Sequence, residues 1–201
     1  MRGAFWSAKD LSRQRNSFLR QNPAVTFTDV THRSGLAKTA YPCLSAAWAD
    51  DENDGDQDIY AHLGGASPDV WFHNAVFENP GNNNHWTTVR LIGRRSNRSA
   101  IRARIKIELE NEHLGRREIH RSVGNGGSFG ACSLQQEIGL GAYEQIKSLA
   151  IYWPTSKTTQ RFENVATKQF IEVEEGADSY RVTTRSAIVL GDRTSPSNGV
   201  L

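Results

Sequence analysis

Residues 101–110, Ile-Arg-Ala-Arg-Ile-Lys-Ile-Glu-Leu-Glu, carry an apolar side chain at every odd position and a charged one at every even position. Successive side chains of a strand point to opposite faces, so this period of two describes a strand with one dry face and one wet face. A helix would scatter the same residues around its axis. Working outward, a loop around 111–115 returns the chain into a second strand over 118–123, and further strands are expected at 149–153, 160–162 and 170–173. Upstream, from Val25, the text consists of short β-type runs separated by turn residues: TFTDVT, then AAW and DIYAHL around an acidic loop, then DVWFHNAVF. Many short strands without long helices specify an all-β protein, a sandwich or a barrel.

The segment 78–84, ENPGNNN, concentrates Pro, Gly and Asn and reads as a boundary. The expected division is an N-terminal extension over 1–24, a β segment over 25–80, a β module over 81–176, and a polar tail over 177–201 that is expected to be flexible. In the extension only Leu11, Arg15, Phe18 and Leu19 share one face of a short helix.

The 201 residues carry 24 Lys and Arg against 22 Asp and Glu, a net charge of +2 that hides a division along the chain. No Lys or Arg lies between Lys38 and Arg90, whereas basic residues dominate from Arg90 to Arg121. No run approaches the roughly 20 apolar residues of a membrane helix, so no membrane span is expected. The first 22 residues lack the apolar core of a complete secretory signal. Cys43 and Cys132 are too few for a disulfide scaffold, and they suit either one disulfide or two small buried hydrophobes.

Residues 50–58, Asp-Asp-Glu-Asn-Asp-Gly-Asp-Gln-Asp, hold six carboxylates in nine positions with no cation nearby in sequence. A hard cation such as Ca2+ takes six to eight oxygens, and carboxylates at alternate positions of a tight turn converge on it while Gly supplies the bend. The expected ligands are the side chains of Asp50, Glu52, Asp54 and Asp58, with the carbonyl of Asp56. An EF-hand would need Glu at its twelfth position, which is Ala61 here, and helices on both flanks. A solvated acidic turn is the plain alternative.

FTDVTHRSGLA followed by AAWADDENDGDQDIY resembles the FG-GAP/VCBS type of repeat, which forms blades of integrin-like β-propellers with a calcium loop. NHWTTVRLIGRRSNRSAIRARIKI, GGSFGACSLQQEIGLG and IYWPTSKTTQRFENV resemble the ASPIC/UnbV domain, found after such repeats in cartilage acidic protein and in many secreted bacterial proteins. The resemblance covers roughly residues 27–176. It implies an all-β fold, with an FG-GAP-like propeller-blade segment followed by a β-sandwich module, and an extracellular or periplasmic location. Two positions depart from the pattern: Glu52 stands where the family usually has Asp, and Arg102 where it usually has Gly. The chain has enough sequence for about one blade.

Enzyme motifs are weak. Gly126-Gly127-Ser128-Phe129-Gly130 fits G-x-S-x-G, but all six histidines precede Ser128, and that order contradicts the hydrolase elbow. Zinc-peptidase, P-loop and Cys-x-x-Cys motifs are missing from the sequence. The acids crowd one turn rather than facing each other across a cleft, which argues against glycoside hydrolysis. Arg94, Arg95, Arg98, Arg102, Arg104 and Lys106 offer contact to a polyanion such as a sulfated glycan, although a half-exposed strand must be polar on one face anyway. Nucleic acid is not expected as a partner. Trp48, Trp71, Trp86 and Trp153 read as core aromatics before they read as sugar platforms. Asn97-Arg98-Ser99 is a glycosylation sequon. The expected function is a calcium-binding, non-enzymatic extracellular or periplasmic module of the adhesion type, recognising a protein or a carbohydrate. The alternative is an accessory or catalytic domain of a secreted or biosynthetic enzyme.

Overall fold

The computed structural model describes residues 16–22, 25–38, 43–63, 74–126 and 131–186. Among them a single 3-10 turn, Leu36–Lys38, is helical, and every other regular element is a strand. The all-β expectation therefore holds. The chain forms two compact units: one built from the residues up to Trp48 with 58–78, 126 and 131, the other from 49–57, 79–125 and 132–186.

In the first unit β1 (Leu19–Gln21) and β2 (Phe27–Asp29) pair antiparallel, and β3 (Cys43–Ala49), β4 (Asp58–Leu63) and β5 (Ala75–Phe77) form a three-stranded sheet in that order. Ala61 and Leu63 alternate along β4 as its buried face. The described residues of this unit show a single sheet beside the β1–β2 ribbon, without propeller closure.

The second unit holds β6 (His85–Ile92), β7 (Arg104–Asn111), β8 (Gly115–Ser122), β9 (Gln136–Gly141), β10 (Gln145–Trp153), β11 (Thr158–Ala166), β12 (Gln169–Glu174) and β13 (Arg181–Thr183). They make two four-stranded sheets, β11-β10-β7-β8 and β13-β12-β6-β9. Inward residues of both sheets, among them Ile105, Ile107 and Leu109 of β7, Leu149 and Trp153 of β10, Val89 of β6 and Ile171 of β12, share one apolar core. That is a β-sandwich. Strand β6 runs parallel to β12 and antiparallel to β9, so it is one of the two inner strands of its sheet. Residues 181–183, inside the stretch expected as tail, pair with β12 as an edge strand.

The alternating stretch keeps its dry face but begins later than its pattern suggests. Strand β7 starts at Arg104, and Ile101 and Arg102 lie in the preceding turn. The cause is Asn97, whose Oδ1 accepts the Ile101 amide at 2.9 Å and whose Nδ2 donates to the Ile101 carbonyl at 3.0 Å. This side chain competes with the ladder for the backbone of residue 101. Ala100 and Arg102 are then left in the left-handed region, at φ of 53° and 73°.

One buried carboxylate holds this end of the sandwich. Glu175, 7% exposed, follows β12. Its Oε2 accepts three consecutive amides, Arg94 at 2.8 Å, Arg95 at 2.8 Å and Ser96 at 2.7 Å. Its Oε1 accepts the hydroxyls of Ser96 at 2.9 Å and Ser156 at 2.6 Å. Burial alone would push the carboxyl pKa up, but the Ser156 hydroxyl, the Ser96 and Arg94 amides and the Ser96 hydroxyl outweigh it and bring it down to about 2. Beside it Gln160 accepts the indole N–H of the buried Trp153 and donates to the carbonyls of Glu174 and Ala177. Thus the β6–β7 connection, the β10–β11 turn and the end of β12 meet on polar side chains that are all partnered.

Glu175→Ala leaves buried amides without an acceptor and should cost about 3–5 kcal/mol in denaturant unfolding, with Glu175→Gln costing less. Because the folded pKa lies below the unfolded value of about 4.5, the ionised group stabilises the fold above pH 4.5, and that contribution disappears as pH falls toward 2. The Gln variant should lack this acid-dependent loss. Arg102→Gly removes a left-handed, exposed, non-glycine residue and should raise stability by about 0.5–1 kcal/mol, read from the denaturant midpoint.

Candidate functional site

The acidic loop joins β3 to β4, and its residues 49–57 belong to the second unit. Asp50 opens it, 7% exposed, with Oδ1 accepting the Asp54 amide and Oδ2 accepting the Gly55 amide, both at 3.0 Å. These two bonds curl the loop back on its first residue. The curl needs left-handed backbone at Asn53, φ 58°, and Gly55, φ 94°. Asn tolerates that region through local hydrogen bonding, and Gly tolerates it because it has no Cβ.

Gly55 is required for a second reason. A Cβ built on it would fall 1.8 Å from Cε2 and 2.1 Å from Nε1 of Trp86 on β6. Trp86 packs in turn on Phe170 of β12, with ring centroids 5.0 Å apart, and the Arg185 guanidinium lies 4.7 Å from the Phe170 centroid. The loop is further held by Asp56 Oδ2, which accepts the Asn82 amide at 3.2 Å, by Gln57 donating to Glu137 at 2.7 Å, and by Asn53 donating to the Ser186 carbonyl at 3.1 Å.

Electrostatically the loop is the reverse of the Glu175 node. Burial raises the Asp50 pKa, the Gly55 and Asp54 amides oppose it, and the carboxylates of Asp54 and Glu137 raise it again, to about 6. Two neutral donors do not make up for the loss of water on burial, and the two neighbouring anions add to the deficit.

Of the five sequence-expected ligands, Asp50, Glu52, Asp54 and Asp56 lie in this loop, with Asp54 exposed and accepting the Asp56 amide at 2.9 Å. Asp58 is 5% exposed at the start of β4 in the first unit. Among the described residues no three His, Cys, Asp or Glu side chains are gathered as a metal-holding group. The donor chemistry of the loop nevertheless suits a hard cation, being oxygen-only with Asp50 buried beside like charges.

The basic residues 94–106 do not act together. Arg94 is bound to Glu174 at 2.6 Å, Arg104 lies 4.4 Å from the Tyr152 ring centroid, and Lys106 bridges Glu108 at 2.7 Å and Glu118 at 3.2 Å. Arg102 stands in the turn before β7, and Arg95 and Arg98 are exposed. Cys43 and Cys132 are both free thiols, half-buried. Trp153 is fully buried, as a core residue should be, whereas Trp48 is 37% exposed. Ser128 and Trp71 lie outside the described residues. Glu175 was not anticipated from sequence. The signal for it was the Glu-Glu-Gly turn at 174–176, together with the Gly-Arg-Arg-Ser-Asn turn at 93–97, whose amides need an acceptor.

Residues 93–179 match the family model described as ASPIC and UnbV. Over these residues the chain is similar to the ASPIC/UnbV domain. The matched stretch begins at the turn that Glu175 caps and ends just after Glu175 itself, so both sides of that polar node lie within the matched residues. The acidic loop precedes the match and rests on Trp86, also just ahead of it. A comparison with curated proteins found no match to the chain.

Gly55→Ala tests whether the loop is seated as described. It combines a steric conflict with Trp86 and a left-handed backbone, and should destabilise the second unit by about 2–4 kcal/mol in denaturant unfolding. Unchanged stability and unchanged tryptophan fluorescence would mean that the loop does not rest on Trp86.

Proposed function

We propose that the chain is a calcium-stabilised, non-enzymatic binding module working outside the cytoplasm, with an FG-GAP/VCBS-like β segment ahead of its ASPIC/UnbV domain. The observation that supports calcium is the setting of Asp50: a buried carboxylate beside two other carboxylates, with two backbone amides as its hydrogen-bond partners among the described residues. A divalent cation would turn that repulsion into attraction. Within the loop the proposed ligands are the side chains of Asp50, Glu52 and Asp54 and the carbonyl of Asp56. Calcium would supply structural charge there, fixing a loop that rests on Trp86.

The non-enzymatic reading is supported by what the polar groups of the second unit do. Its most strongly bound carboxylate, Glu175, spends every lone pair it uses on amides and hydroxyls of its own fold. The extracellular or periplasmic location is supported by the resemblance to secreted proteins. A protein or carbohydrate ligand is the proposed partner.

Calcium at about 100 times its Kd should stabilise the fold by roughly 2.7 kcal/mol, since it binds only the folded loop. Melting of metal-stripped protein, in excess calcium and in chelator, measures this directly. Asp54→Ala should abolish most of the difference and Asp51→Ala should preserve it, because residue 51 falls between ligand positions. Magnesium should do less, as it keeps its waters and demands octahedral geometry. Coincident melting curves with and without calcium would leave the loop a self-capped acidic turn. A glycan array probed with and without calcium then tests the partner.

A further inference from the structure

A second feature of the sandwich lies apart from the acidic loop and shares no residue with it. A pocket of about 450 Å³ is lined by Arg90 of β6, Arg98 and Ser99 of the following turn, Ser133 and Leu134 ahead of β9, and Arg185 beyond β13. Four separate stretches of the second unit thus bring three arginines to the lining of one cavity. Arg90 and Arg98 fall in the basic stretch that runs from Arg90 to Arg121 in the sequence, whereas Arg185 lies far outside it.

The charges around the pocket are not balanced. Arg98 makes no ion pair among the described residues and acts through space on Glu174, a carboxylate that is already paired with Arg94. Arg185 donates to Gln135 Oε1 at 2.7 Å and covers Phe170, neither of which neutralises it. Arg90 has a carboxylate at 3.6 Å, Glu172, but that group is held more closely by Arg181 at 2.6 Å. The cavity therefore carries an excess of cationic forks, each with several N–H donors and no acceptor. Bringing like charges together costs free energy, and a bound anion is the ordinary way to recover it.

We propose that this pocket binds the tetrahedral oxyanion head of a phosphate or sulfate monoester of a small molecule. The volume lies within the range of small-molecule sites, roughly 300–1,000 Å³. A planar carboxylate has two oxygens and is served by one or two forks, whereas a monoester offers three terminal oxygens, one for each guanidinium. Ser99 and Ser133 add hydroxyl donors at the rim. Half-buried Leu134 gives an apolar wall for the body of the ester.

Calorimetric titration of the full chain at low salt with phenyl phosphate, phenyl sulfate and benzoate tests this. Saturable binding of either ester, with benzoate weaker, is the expected result, and the better-bound ester identifies the head group. Arg98→Ala should weaken binding about tenfold, a loss of about 1.4 kcal/mol, and Arg185→Ala should do likewise. Because Arg185 also packs on Phe170, Arg98→Lys serves as a second variant: its charge remains, its fork is lost, and binding should weaken without any change in melting. Arg121→Ala, an exposed cation on β8 outside the pocket, should bind as the wild type does. No saturable binding of either ester would overturn the proposal. So would equal affinity for benzoate, or an equal loss in Arg121→Ala, which would reduce the effect to a diffuse field.

Discussion

The carboxylate of Glu175 is the group on which the β-sandwich depends. It is buried and ionised, and it persists because five donors from two loops converge on it. An uncompensated charge at that depth would cost several kcal/mol. The backbone reinforces the side chain, since the Glu175 amide donates to the Ile92 carbonyl at 2.9 Å. The parallel pairing of β6 and β12 is thereby closed at its end: the chain leaves β6 into the 94–96 turn and returns, some eighty residues later, to cap that same turn. Parallel neighbours need long crossovers, and the closure of a long crossover is where loop entropy weighs most.

Two buried carboxylates in one unit show how environment decides the role of a residue type. Glu175 is held down at about 2 because its charge is met from within the fold, and Asp50 is pushed to about 6 because burial strips its carboxylate of water and two backbone amides do not make up the loss, with Asp54 and Glu137 adding a smaller push. The first is a finished structural element. The second is an element whose charge the fold leaves under-compensated, and the same description applies to the arginines around the β6–β9 pocket. Where a fold leaves like charges together without balancing them, an external ion is the economical explanation.

The core was legible in the sequence because a period of two is a direct imprint of strand geometry: Ile105, Ile107 and Leu109 are all fully buried or nearly so. Its start was less legible, because Asn97 removes Ile101 from the ladder by a hydrogen bond that no hydrophobic pattern records. The acidic loop announced itself by composition, and Gly55 by its place in it, but the second demand on Gly55, the face of Trp86, depends on a contact across 31 positions of sequence. Strand β13 was read as tail because it is short, polar and at an edge, where pairing rather than burial makes the strand. The basic run from Arg94 to Lys106 looked like one surface, yet folding sends its members to Glu174, to Tyr152, to Glu108 and Glu118, and to a pocket completed by arginines outside the run. Linear charge clustering carries little about spatial clustering when successive side chains alternate faces.

The contrast between the two carboxylates is the centre of this account, and a titration of their side-chain carboxyl carbons by NMR, in metal-stripped protein, tests it most directly. The account predicts that Glu175 stays ionised until about pH 2 while Asp50 titrates near pH 6. Titration of both groups together near pH 4, as ordinary exposed carboxylates behave, would contradict it.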